Sequence, residues 1–285
     1  MEIKTIFVIG AGAMGSGIAQ VAAQSGYKVY LRDLTEELVE KGLKNIENFL
    51  NKGIERGKVT EEQKQQVLSN ITGTTSMDPA READFVIEAV VENMEIKKNV
   101  FKELDELCPE HTILASNTSS LSITEMASVT KRPEKVVGMH FFNPAQLMKL
   151  VEVVRGTATS DETVEITSNL ARKFGKEPIT VVESPGFVVN RLMVPFLNEA
   201  FYLLYEGVAS PEDIDKAVKL GLNHPMGPFE LADFTGLDIL HAVAEVFYEE
   251  FKDPKYRPCP LLKKYIRAGW LGRKTGRGIY DYRKS

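Results

Sequence analysis

Apolar and polar positions change period along this chain, and the change divides it in two. The first part alternates short apolar runs with amphipathic stretches. Thr5–Ile9 and Lys28–Leu31 predict two strands, with a helix from Met14 to about Ser25 between them and Gly26 as its C-cap. Helical periodicity runs from Glu36 to about Arg56 and again from Glu61 to Leu68. Phe85-Val86-Ile87-Glu88-Ala89-Val90 is a short, largely apolar strand of the kind buried on both faces. Asn93–Leu107 is helical, and Thr112–Ala115 is a strand that ends in the polar turn Ser116-Asn117-Thr118-Ser119-Ser120. Lys135–His140, Leu150–Val154 and Ile179–Val182 complete the predicted strands. Such alternation predicts an α/β domain with a doubly wound, mostly parallel sheet.

At Glu183-Ser184-Pro185-Gly186 the period changes, and the later periodic segments Asn190–Glu206, Pro211–Lys219 and Leu237–Phe251 read as helices. Ser210-Pro211-Glu212-Asp213 is a helix start with a cap hydroxyl, proline at the first position and acids in the first turn. The expected organisation is therefore an α/β domain over residues 1–184 and an all-helical C-terminal domain over 185–285. The tail from Trp270 to Gly278 is a glycine-rich basic loop, placed to fold back toward a cofactor.

The first strand runs into Gly10-Ala11-Gly12-Ala13-Met14-Gly15, and the first helix follows at once. Gly10, Gly12 and Gly15 stand in G-x-G-x-x-G spacing. In a dinucleotide site these glycines give a tight turn, a close backbone approach to the pyrophosphate, and close helix–strand packing. The helix N-terminus then receives the phosphate charge. Asp33 follows the second strand at the distance where a carboxylate accepts hydrogen bonds from the adenosine ribose and repels a 2′-phosphate. Gly10, Gly12, Ala13, Met14, Gly15 and Asp33 are thus candidate cofactor-binding residues, with NAD as the cofactor; Arg32 beside Asp33 keeps NADP in play. The competing reading is a glycine turn in an ordinary α/β protein with a helix-capping aspartate.

Composition narrows the class. The chain has 285 residues, 43% of them hydrophobic, which permits a substantial core and one or two domains. A net charge of -5 argues against a general nucleic-acid binder. Cys108 and Cys259 lie far apart and form no C-x-x-C site. The four histidines make no ligand-spaced cluster, so no metal is expected. With neither a basic–apolar leader pattern nor an apolar run of membrane-spanning length, the expected location is the cytoplasm.

Candidate chemistry gathers around His140, at the end of a strand and just before Phe141-Phe142-Asn143-Pro144. Strand carboxyl ends form the site in doubly wound folds, and the unperturbed pKa of histidine suits a proton acceptor for an alcohol under oxidation. Glu152, on the next strand, could orient the imidazole and stabilise its charged form. A structural histidine and a surface glutamate fit the same pattern. Ser119 and Asn190, at the ends of predicted elements, could donate to a substrate oxygen or simply cap and turn the backbone. Lys52 and Arg56 lie four apart and share a helix face, either as an anion site or as solvated charge.

The stretches Ile9–Gln20, Ala115–Ser120, Gly138–Pro144, Met148–Val153, Pro185–Arg191 and His224–Pro228 resemble the NAD-linked short-chain 3-hydroxyacyl-CoA dehydrogenases, of the bacterial 3-hydroxybutyryl-CoA type. The likeness spans essentially the whole chain, and its His-Phe-Phe-Asn-Pro and Pro-Gly-Phe-Val-Val-Asn-Arg stretches are far more specific than the glycine motif. It implies an N-terminal Rossmann-type domain and a helical domain that carries most of a homodimer contact. It implies interconversion of a short-chain 3-hydroxyacyl-CoA and a 3-oxoacyl-CoA, with His140 as base and Glu152 as its partner. Ser119 and Asn190 would bind the substrate oxygens, and Glu92, Lys97, Asn143 and Lys274 would contact the cofactor together with Asp33. The resemblance also places CoA-binding basic residues near Lys52 and Arg56; arginine keeps the charge and adds bidentate phosphate binding where the family often has lysine. Two other readings stand beside it: a CoA-independent hydroxyacid dehydrogenase of the L-gulonate type, and a non-catalytic dinucleotide-binding redox sensor.

Overall fold

In the computed structural model, which describes residues 2–283, the chain divides at Ser184/Pro185 into two compact units. The N-terminal unit is built on an eight-stranded sheet in the order β3-β2-β1-β4-β5-β6-β7-β8. Its strands are β1 (Thr5–Ile9), β2 (Lys28–Arg32), β3 (Ile71–Thr74), β4 (Phe85–Glu88), β5 (Ile113–Ser116), β6 (Val136–Phe141), β7 (Leu150–Arg155) and β8 (Glu177–Val182). Every neighbouring pair is parallel except β6 and β7. The exception follows from the loop, since residues 142–149 are too few for the crossover a parallel return needs. The order reverses between β1 and β4, the switch point at which such sheets bind ligands.

Helices α1 (Ala13–Gln24), α2 (Glu36–Glu55), α3 (Glu61–Ser69), α4 (Met94–Leu107), α5 (Ile123–Ala127) and α6 (Asp161–Lys173) cover the sheet. Their starts are written locally. Thr35, Asn93, Ser122 and Ser160 each accept a backbone N–H of the first turn, and Thr60 and Gln63 form a reciprocal capping box. The core runs through Ile6, Val8, Leu31, Phe85, Ile87 and Met139, with Ile18 and Ile46 packed in from the helices.

Three elements of this unit lie outside the predicted pattern. The strand β3 is short and carries Gly73, whose added Cβ would lie 2.5 Å from Val39, so α2 packs directly on its backbone. The five-residue α5 is too short to show a period. The helix α6 buries Thr163, Thr167 and Ser168 beside Val164, Leu170 and Ala171, a face too polar to read as an apolar stripe. Two boundaries move by two residues. The strand β8 begins two residues before Ile179, and β4 stops at Glu88 because that side chain accepts the N–H of Val90 at 2.7 Å and turns the chain.

The C-terminal unit is all-helical: α7 (Val189–Tyr205), α8 (Pro211–Gly221), α9 (Pro228–Thr235), α10 (Leu237–Phe251) and α11 (Pro260–Arg267). Leu197, Phe201, Phe229, Leu240, Phe247 and Leu262 form its core. Asp215 accepts the N–H groups of Phe229 and Glu230 and so caps the start of α9 from outside. Asp233 accepts from Ile279 N, Tyr280 N and the Tyr282 hydroxyl, tying the C-terminal hook to the bundle. Among the described residues no helix is long and apolar enough to cross a membrane.

Candidate active site

The glycine loop shows why each glycine is there. Gly10 has φ of 99°, and an added Cβ would stand 2.4 Å from the Ala89 carbonyl oxygen at the end of β4. At Gly15 a Cβ would lie 1.7 Å from the Gly10 oxygen, so α1 sits against the turn itself. Gly12 differs: a Cβ there meets nothing within 4 Å, and its φ of -66° suits any residue. Protein packing therefore gives no reason for this glycine, which leaves open space at the N-terminus of α1, where a helix offers free N–H groups to an anion. Gly12 and Ala13 are exposed and Met14 half-buried at that N-terminus. Asp33 accepts Ala11 N–H and Leu34 N–H, each at 2.7 Å, which holds its carboxylate against the glycine loop. Arg32 donates from Nε to the Thr75 carbonyl oxygen at 3.3 Å. The loop and the carboxylate fit a dinucleotide.

His140 and Glu152 face each other directly across the antiparallel β6–β7 pair. Nδ1 of His140 lies 2.7 Å from Oε2 of Glu152; the histidine is 5% exposed and the glutamate fully covered. The Phe142 ring packs on the imidazole with centroids 4.6 Å apart. Asn117, in the polar turn after β5, accepts the N–H of Phe141 at 2.9 Å and ties that turn to the end of the histidine strand. The loop joining the two strands holds Asn143, exposed, before the cis peptide to Pro144. Lys176 secures this loop: its buried ammonium donates to the carbonyls of Ala145 and Met148 at 2.5 and 2.9 Å, and burial lowers its pKa. On the other side, Gln146 donates to Gln20 of α1 at 3.0 Å.

The polar turn after β5 is built on Glu92. Its carboxylate accepts from the Thr118 hydroxyl at 2.5 Å, Ser119 N–H at 3.0 Å and the Ser119 hydroxyl at 3.4 Å. Burial raises the Glu92 pKa, but the Lys97 ammonium, the Thr118 hydroxyl and the Ser119 N–H outweigh it and hold the carboxyl below its ordinary value. Lys97 is itself buried and donates to Glu88 at 2.7 Å. Neither Glu88 nor Asn117 stands out by motif. Glu88 does leave a trace in the sequence, since a carboxylate inside an otherwise apolar strand demands a buried partner.

Lys52 lies in the last turn of α2 and Arg56 is its C-cap; both are exposed, and among the described residues neither has an ion-pair partner. Asn190 and Lys274 belong to the C-terminal unit. Asn190 is the second residue of α7, half-buried. The start of that helix is fixed by Gly186, with φ of 74°, whose added Cβ would strike the Phe247 ring at 2.1 Å. Lys274 pairs with Asp238 at 2.6 Å at the beginning of α10.

The NAD-binding domain of the 3-hydroxyacyl-CoA dehydrogenases matches residues 5–184, and the C-terminal domain of the same family matches residues 186–282. A probable 3-hydroxybutyryl-CoA dehydrogenase of Bacillus subtilis is 56% identical over 282 residues, covering 99% of this chain and 98% of that one. The human mitochondrial hydroxyacyl-coenzyme A dehydrogenase is 44% identical, over 99% of this chain and 92% of its own length. The crystal structure of (S)-3-hydroxybutyryl-CoA dehydrogenase from Ralstonia eutropha superposes with a TM-score of 0.95 at 50% identity, covering 99% of both chains. Its glycine loop and both of its domains thus belong to one lineage: the chain is a member of the 3-hydroxyacyl-CoA dehydrogenase family, NAD-dependent oxidoreductases of 3-hydroxyacyl-CoA thioesters.

Proposed function

We propose that this protein interconverts (S)-3-hydroxybutyryl-CoA and acetoacetyl-CoA, with His140 as general base and acid and Glu152 as its partner. The buried 2.7 Å bond between the two carries the reading. An ionised carboxylate only accepts, so Nδ1 of the imidazole carries the proton and the basic lone pair lies on Nε2. There His140 takes the proton of the C3 hydroxyl, and Glu152 stabilises the imidazolium that results. NAD, when bound, accepts the C3 hydride. In the reductive direction the imidazolium returns its proton to the C3 oxygen. Ser119 and Asn190 donate to the substrate oxygens. Gly10, Gly12, Ala13, Met14 and Gly15 receive the pyrophosphate and Asp33 the adenosine ribose; Glu92, Lys97, Asn143 and Lys274 hold the rest of the cofactor. The reaction is placed in the cytoplasm.

The direct test is NADH consumption with acetoacetyl-CoA as substrate. Turnover is expected with the thioester, and neither with free acetoacetate in the same assay nor with L-gulonate assayed in the oxidative direction by NADH formation from NAD+; equal turnover of the free acids would assign a CoA-independent enzyme, and no turnover with any of them a redox sensor. NADH should be preferred over NADPH, because Asp33 repels a 2′-phosphate. Equal kcat/KM with NADPH would mean that Arg32 governs that pocket.

Lys52 and Arg56 take the anionic nucleotide end of CoA, remote from the reacting carbon. Their joint replacement by alanine is expected to raise KM for acetoacetyl-CoA more than it lowers kcat, and to matter less as salt rises. A pantetheine thioester lacking the nucleotide should be processed equally by variant and parent. Equal losses on both substrates would place the defect in the packing of α2.

The helical unit also carries the surface we assign to a homodimer. Phe196, Tyr202, Leu203 and Leu204 of α7 are only half-buried, and Leu192 and Tyr205 are 71% and 58% exposed. One helix stripe needs less apolar surface than this. Sedimentation at micromolar concentration should give a dimer; a monomer would remove the assignment.

A further inference from the structure

Glu88 takes no part in the chemistry above, yet it sits at the carboxyl end of a central strand with its side chain fully covered. One oxygen accepts from Lys97 Nζ and Val90 N–H, each at 2.7 Å; the other accepts from the Ser116 hydroxyl at 2.6 Å. Lys97, only 1% exposed, also reaches Oε2 of Glu92 at 3.4 Å. Two carboxylates thus share one ammonium, and the cluster carries one formal negative charge. Stability is a weak reason for such an arrangement, because a buried ion pair is seldom better than an apolar pair of the same volume.

Its place in the sheet suggests another reason. The glycine loop follows β1 and Asp33 follows β2, which puts the pyrophosphate and adenosine on that side of the switch point. The other half of a bound dinucleotide would lie toward the carboxyl ends of β4 and β5; Glu88 and Ser116 are the last residues of those strands, and Glu92 follows β4. The nicotinamide ring is a cation in NAD+ and neutral in NADH. A fixed charge beside it binds the two forms unequally.

We propose that Glu88, acting through Lys97 on Glu92, is a positioning residue that sets the relative affinity of the enzyme for NAD+ and NADH through the net charge of this cluster. The proposal rests on the reading of Glu92 as a cofactor contact. Removing the Glu88 charge leaves the cluster neutral and should weaken NAD+ relative to NADH; removing the Lys97 charge should do the opposite; removing both restores the original charge. One unit charge at an effective dielectric typical of such sites corresponds to about a tenfold change in the ratio.

The test is binding, measured on the whole protein: NADH by fluorescence titration and NAD+ by its displacement. Glu88→Gln should raise Kd(NAD+)/Kd(NADH) about tenfold, and Lys97→Met should lower it by about as much. The Glu88→Gln, Lys97→Met double variant should return to within about twofold of the parent ratio, a reversal that loss of packing would not produce. If one single variant does not fold, the other single and the double still close the comparison. Singles that leave the ratio unchanged, or move it in the same direction, overturn the proposal. Glu92→Gln separates the two layers: if it shifts the ratio while Glu88→Gln and Lys97→Met do not, only the cluster proposal fails. If it alters neither affinity, the placement of Glu92 at the cofactor fails.

Discussion

His140→Gln is expected to lose about 10²–10⁴-fold in turnover while NADH binding persists, because a positioned general base is worth that much. Glutamine approaches histidine in size and can still bond to Glu152, but it cannot accept and hold a proton at neutral pH. The site should otherwise survive, since β6 is buried along its whole length and its end is held by Asn117. Steady-state reduction of acetoacetyl-CoA, together with NADH titration of the variant, checks both halves. Retention of more than about a tenth of the parent rate would remove His140 from the role of base. Glu152→Gln should cost less than the histidine change, for it keeps the acceptor oxygen and loses only the charge that stabilises the imidazolium. Combined, the two changes should do little more harm than His140→Gln alone, because residues that act as a unit are not additive. Full additivity would show that the two side chains act separately.

The next largest effects are expected in the glycine loop, and there they should separate by kind. Gly15→Ala puts a methyl group 1.7 Å from the Gly10 carbonyl oxygen, a distance no rotamer can relieve because both partners are backbone. Helix α1 must move away from the turn, at a cost of about 3 kcal/mol or more, seen as a large fall in Tm or as failure to fold. Gly12→Val meets no protein atom at its Cβ and adopts an ordinary φ, so its Tm should stay close to that of the parent. NADH affinity should nevertheless fall about 100-fold, or ~2.7 kcal/mol, because the side chain occupies the approach to the pyrophosphate. A Gly12→Val variant with unchanged NADH affinity would put the cofactor elsewhere.

Which of these features can be read along the chain depends on how far the cause lies from the residue. The alternation of apolar runs and amphipathic helices reports only which face of each element is covered, and that suffices for an α/β half followed by a helical half with the change near Pro185. The glycine spacing, the helix caps at Thr35, Asn93 and Ser210, and the distance to Asp33 are equally local, because each works within a few residues or one βαβ unit. The face of α6 is hidden in threonines and serines that become core only once the sheet lies beneath them. The pairing of His140 with Glu152 depends on β7 returning antiparallel in one register; a shift by one residue would turn Glu152 to the opposite face of the sheet. Glu88 reads as an oddity in an apolar strand until Lys97 and Ser116 are brought to it, and Glu92 to Lys97. A sequence records the burial each residue is suited to, but the partner of a buried charge is chosen by how separate elements pack on one another, so it emerges only with the folded sheet.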